Sequence, residues 1–215
     1  MTKLIKLSSA AATASVLAIS VANAETQNFD IQDFKILDAS AGVNVEATVG
    51  GDYSIRAEGT SEALEKLRIE RRNDALEIGR KRTKGFNWNV KPHKVTVYVT
   101  MPSLDGVEVS SGAELTATGI DAAKFSADVS SGAEATLSGN CDDLSADGSS
   151  GAELEAEGLK CANAAADVSS GADLTIYASE SVTADASSGG QITVYGGPKN
   201  TNIDKSSGGS VSIRD

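Results

Sequence analysis

Phe125-Ser126-Ala127-Asp128-Val129-Ser130-Ser131-Gly132-Ala133-Glu134-Ala135-Thr136-Leu137 decides the fold of this chain. Apolar and polar residues alternate along it, which is the period of a strand with one buried face. One face presents Phe125, Ala127, Val129, Ser131, Ala133, Ala135 and Leu137, and the other Ser126, Asp128, Ser130, Gly132, Glu134 and Thr136. The central Ser-Ser-Gly occurs six times, ending at Gly112, Gly132, Gly151, Gly171, Gly189 and Gly208, with spacings of 20, 19, 20, 18 and 19 residues. A period near twenty held over six copies marks a solenoid in which each repeat is one coil of a stack. A second glycine follows seven residues later at Gly119, Gly139, Gly158 and Gly196. Each rung therefore reads as strand, Ser-Ser-Gly corner, strand, glycine turn and short return loop. The fold class is all-β: a parallel β-helix-like solenoid with about 19–20 residues per rung and an irregular N-terminal β cap.

Parallel stacking at about 4.8 Å per rung aligns equivalent residues into ladders. Alternation carried straight through the motif places the second serines, Ser111, Ser131, Ser150, Ser170, Ser188 and Ser207, on the inward face, with their hydroxyls bonded to one another or to carbonyls. A corner at the glycine would change that phase. Cys141 lies ten residues before Gly151 and Cys161 ten before Gly171, so the two occupy equivalent positions on adjacent rungs. That places their Cα atoms about 5 Å apart, within disulfide range. An oxidising compartment favours a Cys141–Cys161 bridge over two free thiols.

Residues 1–24 read as a secretory signal peptide, with Lys3 and Lys6 at its basic start, an apolar stretch over residues 10–22, and Ala22-Asn23-Ala24 as the small-x-small cleavage pattern. The apolar stretch is too short and too rich in Ala and Ser to span a membrane. With no Cys near the cleavage point, no lipid anchor is expected, and no transmembrane segment is expected in the mature chain. Residues 25–100 form the N-terminal β cap with a basic hairpin and residues 101–215 the repeat solenoid, together one continuous domain. Within the cap, residues 37–47 match the rung pattern with Ala41 replacing the second serine, a degenerate first copy. Residues 67–70 and 75–78 flank Arg72-Asn73-Asp74 as a hairpin, residues 61–66 suit a helical turn, and Val95, Val97 and Val99 mark a strand.

From residue 64 to 81 (Leu-Glu-Lys-Leu-Arg-Ile-Glu, then Ala-Leu-Glu-Ile-Gly-Arg-Lys), from 94 to 104 (Lys-Val-Thr-Val-Tyr-Val-Thr-Met-Pro-Ser-Leu) and through the Ser-Gly-Ala-acid repeats, the chain resembles the putative auto-transporter adhesin head domain family, also called the head GIN domain. The resemblance covers nearly the whole mature chain. It implies an extracytoplasmic β-solenoid without established enzymatic activity, in the periplasm, secreted or at the cell surface. No membrane-spanning barrel is expected after the repeats, so self-anchoring is not.

The formal charge is −11. It is unevenly spread: residues 25–65 carry nine acids and two bases, residues 66–100 three acids and ten bases, and residues 101–215 eighteen acids and five bases. Net acidity and 4% aromatic content argue against nucleic acid as a partner. The basic block offers Arg80, Lys81, Arg82, Lys84 and the single Trp88 as a ligand-binding surface for an anionic glycan or a cell-surface component. Internal pairing of these cations with the acidic flanks is the alternative. Two outward acidic ladders, Asp128, Asp147, Asp167, Asp185 and Asp204, and Glu114, Glu134, Glu153 and Asp173, suit either Ca²⁺ or plain solvation. No catalytic residue, cofactor or metal ligand is assigned, because His93 stands without a nucleophile or second ligand beside it in sequence. The expected function is an exported non-enzymatic, adhesin-like or envelope-associated module. The alternatives are a polysaccharide-active β-helix enzyme and a purely structural envelope protein.

Overall fold

Two successive left-handed residues turn the chain at every repeat. The computed structural model describes residues 24–81 and 94–214. Within them the pairs Ala41–Gly42, Ser111–Gly112, Ser131–Gly132, Ser150–Gly151, Ser170–Gly171, Ser188–Gly189 and Ser207–Gly208 all have φ between 45° and 82°. Positive φ at both central residues is the sign of a type I′ turn. The closing bond is present, with the Ala133 and Ala152 N–H groups donating to Ser130 O and Ser149 O, each at 3.2 Å. Glycine adopts this conformation freely, whereas serine pays about 1–2 kcal/mol. Each corner offsets part of that cost by bonding to the next: Gly112 N–H donates to Ser131 O at 3.2 Å, Gly132 N–H to Ser150 O at 3.2 Å and Gly151 N–H to Ser170 O at 3.1 Å.

The same turn interrupts the inside–outside alternation at one position and leaves the phase on either side unchanged. Val129 and Ala133 are buried, while Ser131 between them is exposed. The second serines therefore stand outward at the corners, in contrast to the inward ladder expected from unbroken alternation.

In chain order the elements begin with β1 (Glu25–Phe29), β2 (Ile36–Ala39), β3 (Asn44–Val49) and β4 (Ser54–Gly59). Helix α1 (Ser61–Lys66) follows, its N-cap Thr60 accepting from Ala63 N–H at 3.3 Å. β5 (Leu67–Arg72) and β6 (Ala75–Arg80) form the antiparallel hairpin, turning at left-handed Asn73. β7 (Val95–Met101) and β8 (Gly106–Val109) lead into the long strands β9 (Glu114–Val129), β10 (Glu134–Gly148), β11 (Glu153–Val168) and β12 (Asp173–Ala186), and β13 (Gln191–Tyr195), β14 (Asn200–Lys205) and β15 (Ser210–Arg214) complete the stack.

β2 and β3 are a true first coil. β2 pairs in parallel with β8, Leu37 opposite Val107, and β3 with β9, Val45 opposite Leu115. The coils have two faces: β3 joins the first halves of the long strands, and β2 joins β8 and their second halves. Each long strand passes through a bend between the faces without breaking, where a glycine turn and return loop were expected. The bend appears instead as a register shift, between Thr136 and Ser138 in the β10–β11 pair. Gly139 shows why glycine sits there. A Cβ on it would lie 2.1 Å from Ile120 O, so any side chain would push neighbouring coils apart.

The inward residues are small or medium: Ala127, Ala135, Ala146, Leu137, Leu144 and Leu154 are all buried, and no polar or charged residue is buried among the described residues. So narrow an interior leaves much of the stability to the backbone ladder and to coil-on-coil stacking. The largest fully buried side chains are spread along the stack, from Phe34, Leu76 and Ile78 in the cap through Met101 and Leu115 to Leu154 and Leu174, and in the cap Tyr53 O–H donates to Phe34 O at 3.0 Å. At this end β1, β4 and β5 run antiparallel to their neighbours. At the other end β14 and β15 leave Ile203 and Ile213 exposed. In mid-stack Cys141 and Cys161 are register partners joined by a disulfide, with a Cα–Cα distance of 4.5 Å.

Candidate ligand surfaces

The hairpin cations are largely engaged with the cap. Glu77, only 12% exposed, receives Arg68 at 2.9 Å and Arg72 at 3.0 Å, so these two charges are spent internally. Arg71 donates to Asp33 O at 2.9 Å and Lys81 to Glu65 O at 2.8 Å. Arg80 donates through Nε to Ala41 O at 2.9 Å and through Nη2 to Gly42 O at 3.3 Å. That position explains its geometry. From Ser111 to Ser188 each corner carbonyl accepts from the glycine N–H of the preceding corner, and Ala41 belongs to the first corner, so Arg80 supplies the missing donor. Among the predicted ligand residues, Arg80 and Lys81 thus lie together at the end of β6. Arg82, Lys84 and Trp88 lie outside the described residues, as does His93.

The acidic ladder is longer than the repeats alone indicate. Asp128, Asp147, Asp167, Asp185 and Asp204 are successive register partners. Beyond Asp128 the row continues through Glu108 and Asp38 to Glu77. Burial raises the Asp147 carboxyl above its ordinary value, and Asp128 and Asp167 on either side add to the rise. Burial likewise raises Glu108, helped by Asp38, Asp128 and Glu77. Asp38 is also raised by burial and by Glu77, against the opposing pull of Arg68 and Arg72. The carboxylates line a shallow groove of about 380 Å³ together with the first serines, such as Ser149 and Ser169. Among the described residues no group of three or more His, Cys, Asp or Glu is placed to hold a metal ion. The second ladder, on the other face, aligns Glu114, Glu134, Glu153 and Asp173. Burial and then Glu114, Glu153 and Glu155 raise Glu134 within it.

One cluster was missed in the sequence. Tyr177 in β12 and Tyr195 at the end of β13 are register partners, beside Glu157 and Lys160. Their 18-residue separation equals the local repeat spacing, and that was the available signal.

Among the described residues no helix is long and apolar enough to cross a membrane. No curated protein sequence matches the chain. Several solved structures share its architecture. A putative adhesin from Bacteroides fragilis NCTC 9343 superposes with a TM-score of 0.71 over 89% of this chain and 97% of its own, at 18% identity. A putative adhesin from Parabacteroides distasonis ATCC 8503 superposes at 0.56 over 90% and 98%, at 12% identity. A protein from the same organism, described as a putative lipid binding protein, superposes at 0.51 over 91% and 98%, at 16% identity. At such identities these structures speak for the stacked-coil fold alone. Residues 33–198 match the profile of the family described as "Putative auto-transporter adhesin, head GIN domain", so the chain belongs to that family.

Proposed function

We propose that the protein is an exported, non-enzymatic β-solenoid that works as an adhesin-like or envelope-associated module, with anionic glycans or another cell-surface component as its partner. The carrying observation is the segregation of charge along the stack. The acidic row runs the length of the stack, whereas the stretch that begins with Arg80 and Lys81 at the end of β6 and continues in sequence with Arg82, Lys84 and Trp88 is cationic. Salt screens charges beyond about 8 Å, so a local cationic patch acts on a ligand despite the chain's net charge. The leader over residues 1–24 supplies export, to the periplasm, the cell surface or the medium. The family and two of the three structural neighbours carry adhesin names, which agrees with binding rather than cleavage.

A glycan array probed with the whole chain, followed by reducing-end assays on every hit, tests this reading. Retention on anionic glycans without new reducing ends is expected. Release of new reducing ends would instead identify a polysaccharide-active enzyme, and inertness in both assays a structural envelope protein.

A further inference from the structure

Around Tyr177 in β12 and Tyr195 at the end of β13 the outer face of the stack changes character. Tyr177 and Tyr195 stand opposite one another on adjacent coils, and Arg214 follows Tyr195 in register. With Glu157, Lys160 and a glycine floor they line a cleft of about 600 Å³. The floor has to be glycine at Gly196, where φ is 100° and a Cβ would lie 2.6 Å from Ala178 O and 2.8 Å from the Tyr177 ring. The backbone there is left bare beside two aromatic rings.

The charges in the cleft are placed by the fold. The Lys160 ammonium sits 4.0 Å from the centroid of the Tyr177 ring and donates to Glu157 O at 2.7 Å. An ammonium has three N–H donors, so two remain beside the one given to Glu157 O. The Glu157 carboxylate has no hydrogen-bond or ion-pair partner among the described residues, although its own carbonyl holds the lysine. A purely apolar ligand would strip water from Lys160 and Glu157 without replacing it, at a cost that rules it out as a fit. A sugar ring has an apolar C–H face for tyrosine and a rim of hydroxyls for a carboxylate, and a sugar acid adds an anion for a fixed ammonium.

We infer that this cleft binds one pyranose residue of a uronate-containing glycan. The ring packs on Tyr195, the ligand carboxylate pairs with Lys160, and Glu157 accepts from ring hydroxyls. The inference rests on the adhesin-like reading above but places a contact far from the basic hairpin, on the side chains of β11 to β13.

Titration calorimetry of the whole chain with a hyaluronan hexamer, an alginate hexamer and cellohexaose tests it, the first two separating animal from bacterial sources. At least one uronate hexamer should bind more tightly than cellohexaose. Tyr195→Ala should weaken that binding about tenfold or more, as loss of a central aromatic contact does. Lys160→Met should remove the preference for uronate over cellohexaose. Saturation transfer from tyrosine protons to the hexamer should be seen with the parent, lost with Tyr195→Ala, and kept in a Lys81→Ser, Arg82→Ser, Lys84→Ser variant, whose lost hairpin cations lower overall affinity without moving the tyrosine contact. If the hairpin variant loses binding and both cleft variants keep it, the cleft assignment is overturned and the adhesin-like reading stands. If the parent binds neither uronate hexamer, the cleft assignment falls on its own, whatever the wider array returns.

Discussion

Glu108 and Asp128 are register partners on neighbouring coils, which joins the carboxylates of the cap to those of the repeats in one outward row. Like charges directly opposite on paired strands are destabilising. Partial burial, and after it that repulsion, raises the Asp38, Glu108 and Asp147 carboxyls above their ordinary values.

A carboxyl raised in the folded state takes up its proton more readily there than in the unfolded chain. Its contribution to stability is therefore fully present below the ordinary values of 3.8 for Asp and 4.5 for Glu, and is lost as pH rises through the raised folded value. At low ionic strength the melting temperature should thus rise as pH is lowered from neutral toward those values, and added salt should flatten the slope. Asp147→Asn should stabilise at neutral pH by about 0.5 kcal/mol or less, since most of its carboxyl is solvated. Calorimetric melts across that range decide the matter. A steady fall in melting temperature on acidification, with a destabilised Asp147→Asn, would contradict it.

The disulfide clips two coils whose neighbours carry alanine at the same place. Cys141 is opposite Ala122 on one side, and Cys161 opposite Ala178 on the other. A Cys141→Ala, Cys161→Ala double variant should therefore keep the register and lose only the cross-link. Closing a loop of 20 residues should be worth about 3 kcal/mol on chain-entropy grounds. Urea midpoints of the oxidised parent, the reduced parent and the double variant check this, with the last two expected to coincide.

Two glycines in one rung should respond differently to the same substitution. At Gly132 φ is 66° and an added Cβ meets nothing within 4 Å, so Gly132→Ala should cost only the left-handed penalty of about 1–2 kcal/mol. At Gly139 φ is 140° and the Cβ would lie 2.1 Å from Ile120 O, so Gly139→Ala should cost about 4 kcal/mol or more. Denaturant unfolding of both variants tests the ranking. Equal losses would mean that the bend does not hold the coils at contact distance.

Export should remove residues 1–24 and leave Glu25 first, because Ala22 and Ala24 offer the small side chains a signal peptidase accepts. Intact mass of the exported protein gives the answer. A retained leader would remove the export step from the proposed function.

The repeat period made the stack legible, because a twenty-residue spacing and strand alternation are both local patterns. Ser131 was misplaced for an equally local reason: two consecutive left-handed residues swing that one position outward while the alternation on either side keeps its phase, and composition does not report φ. Cys141 and Cys161 could be paired from spacing alone because both lie within regular rungs. Glu77, Asp38 and Glu108 could not be added to the acidic row in the same way. They come from the hairpin, the first coil and a short strand, and only the parallel pairing of β2 with β6 and β8 brings them into line. Arg80 was singled out for its charge, but its bonds to Ala41 O and Gly42 O finish a backbone ladder that becomes visible only once the corners are built.

That second role shapes the most direct test of the central claim, that cations at the cap end contact anionic glycans. The measurement is binding of anionic polysaccharide and lipopolysaccharide at low salt by the parent, by a variant with Arg80, Lys81, Arg82 and Lys84 all replaced by Ser, and by a variant that keeps Arg80 and replaces the other three. Both variants should bind more weakly than the parent, Trp88→Ala should weaken binding further, and the variant that keeps Arg80 should melt as the parent does. Binding equal to the parent's in both folded variants would mean that these cations serve internal charge balance, and would contradict the account.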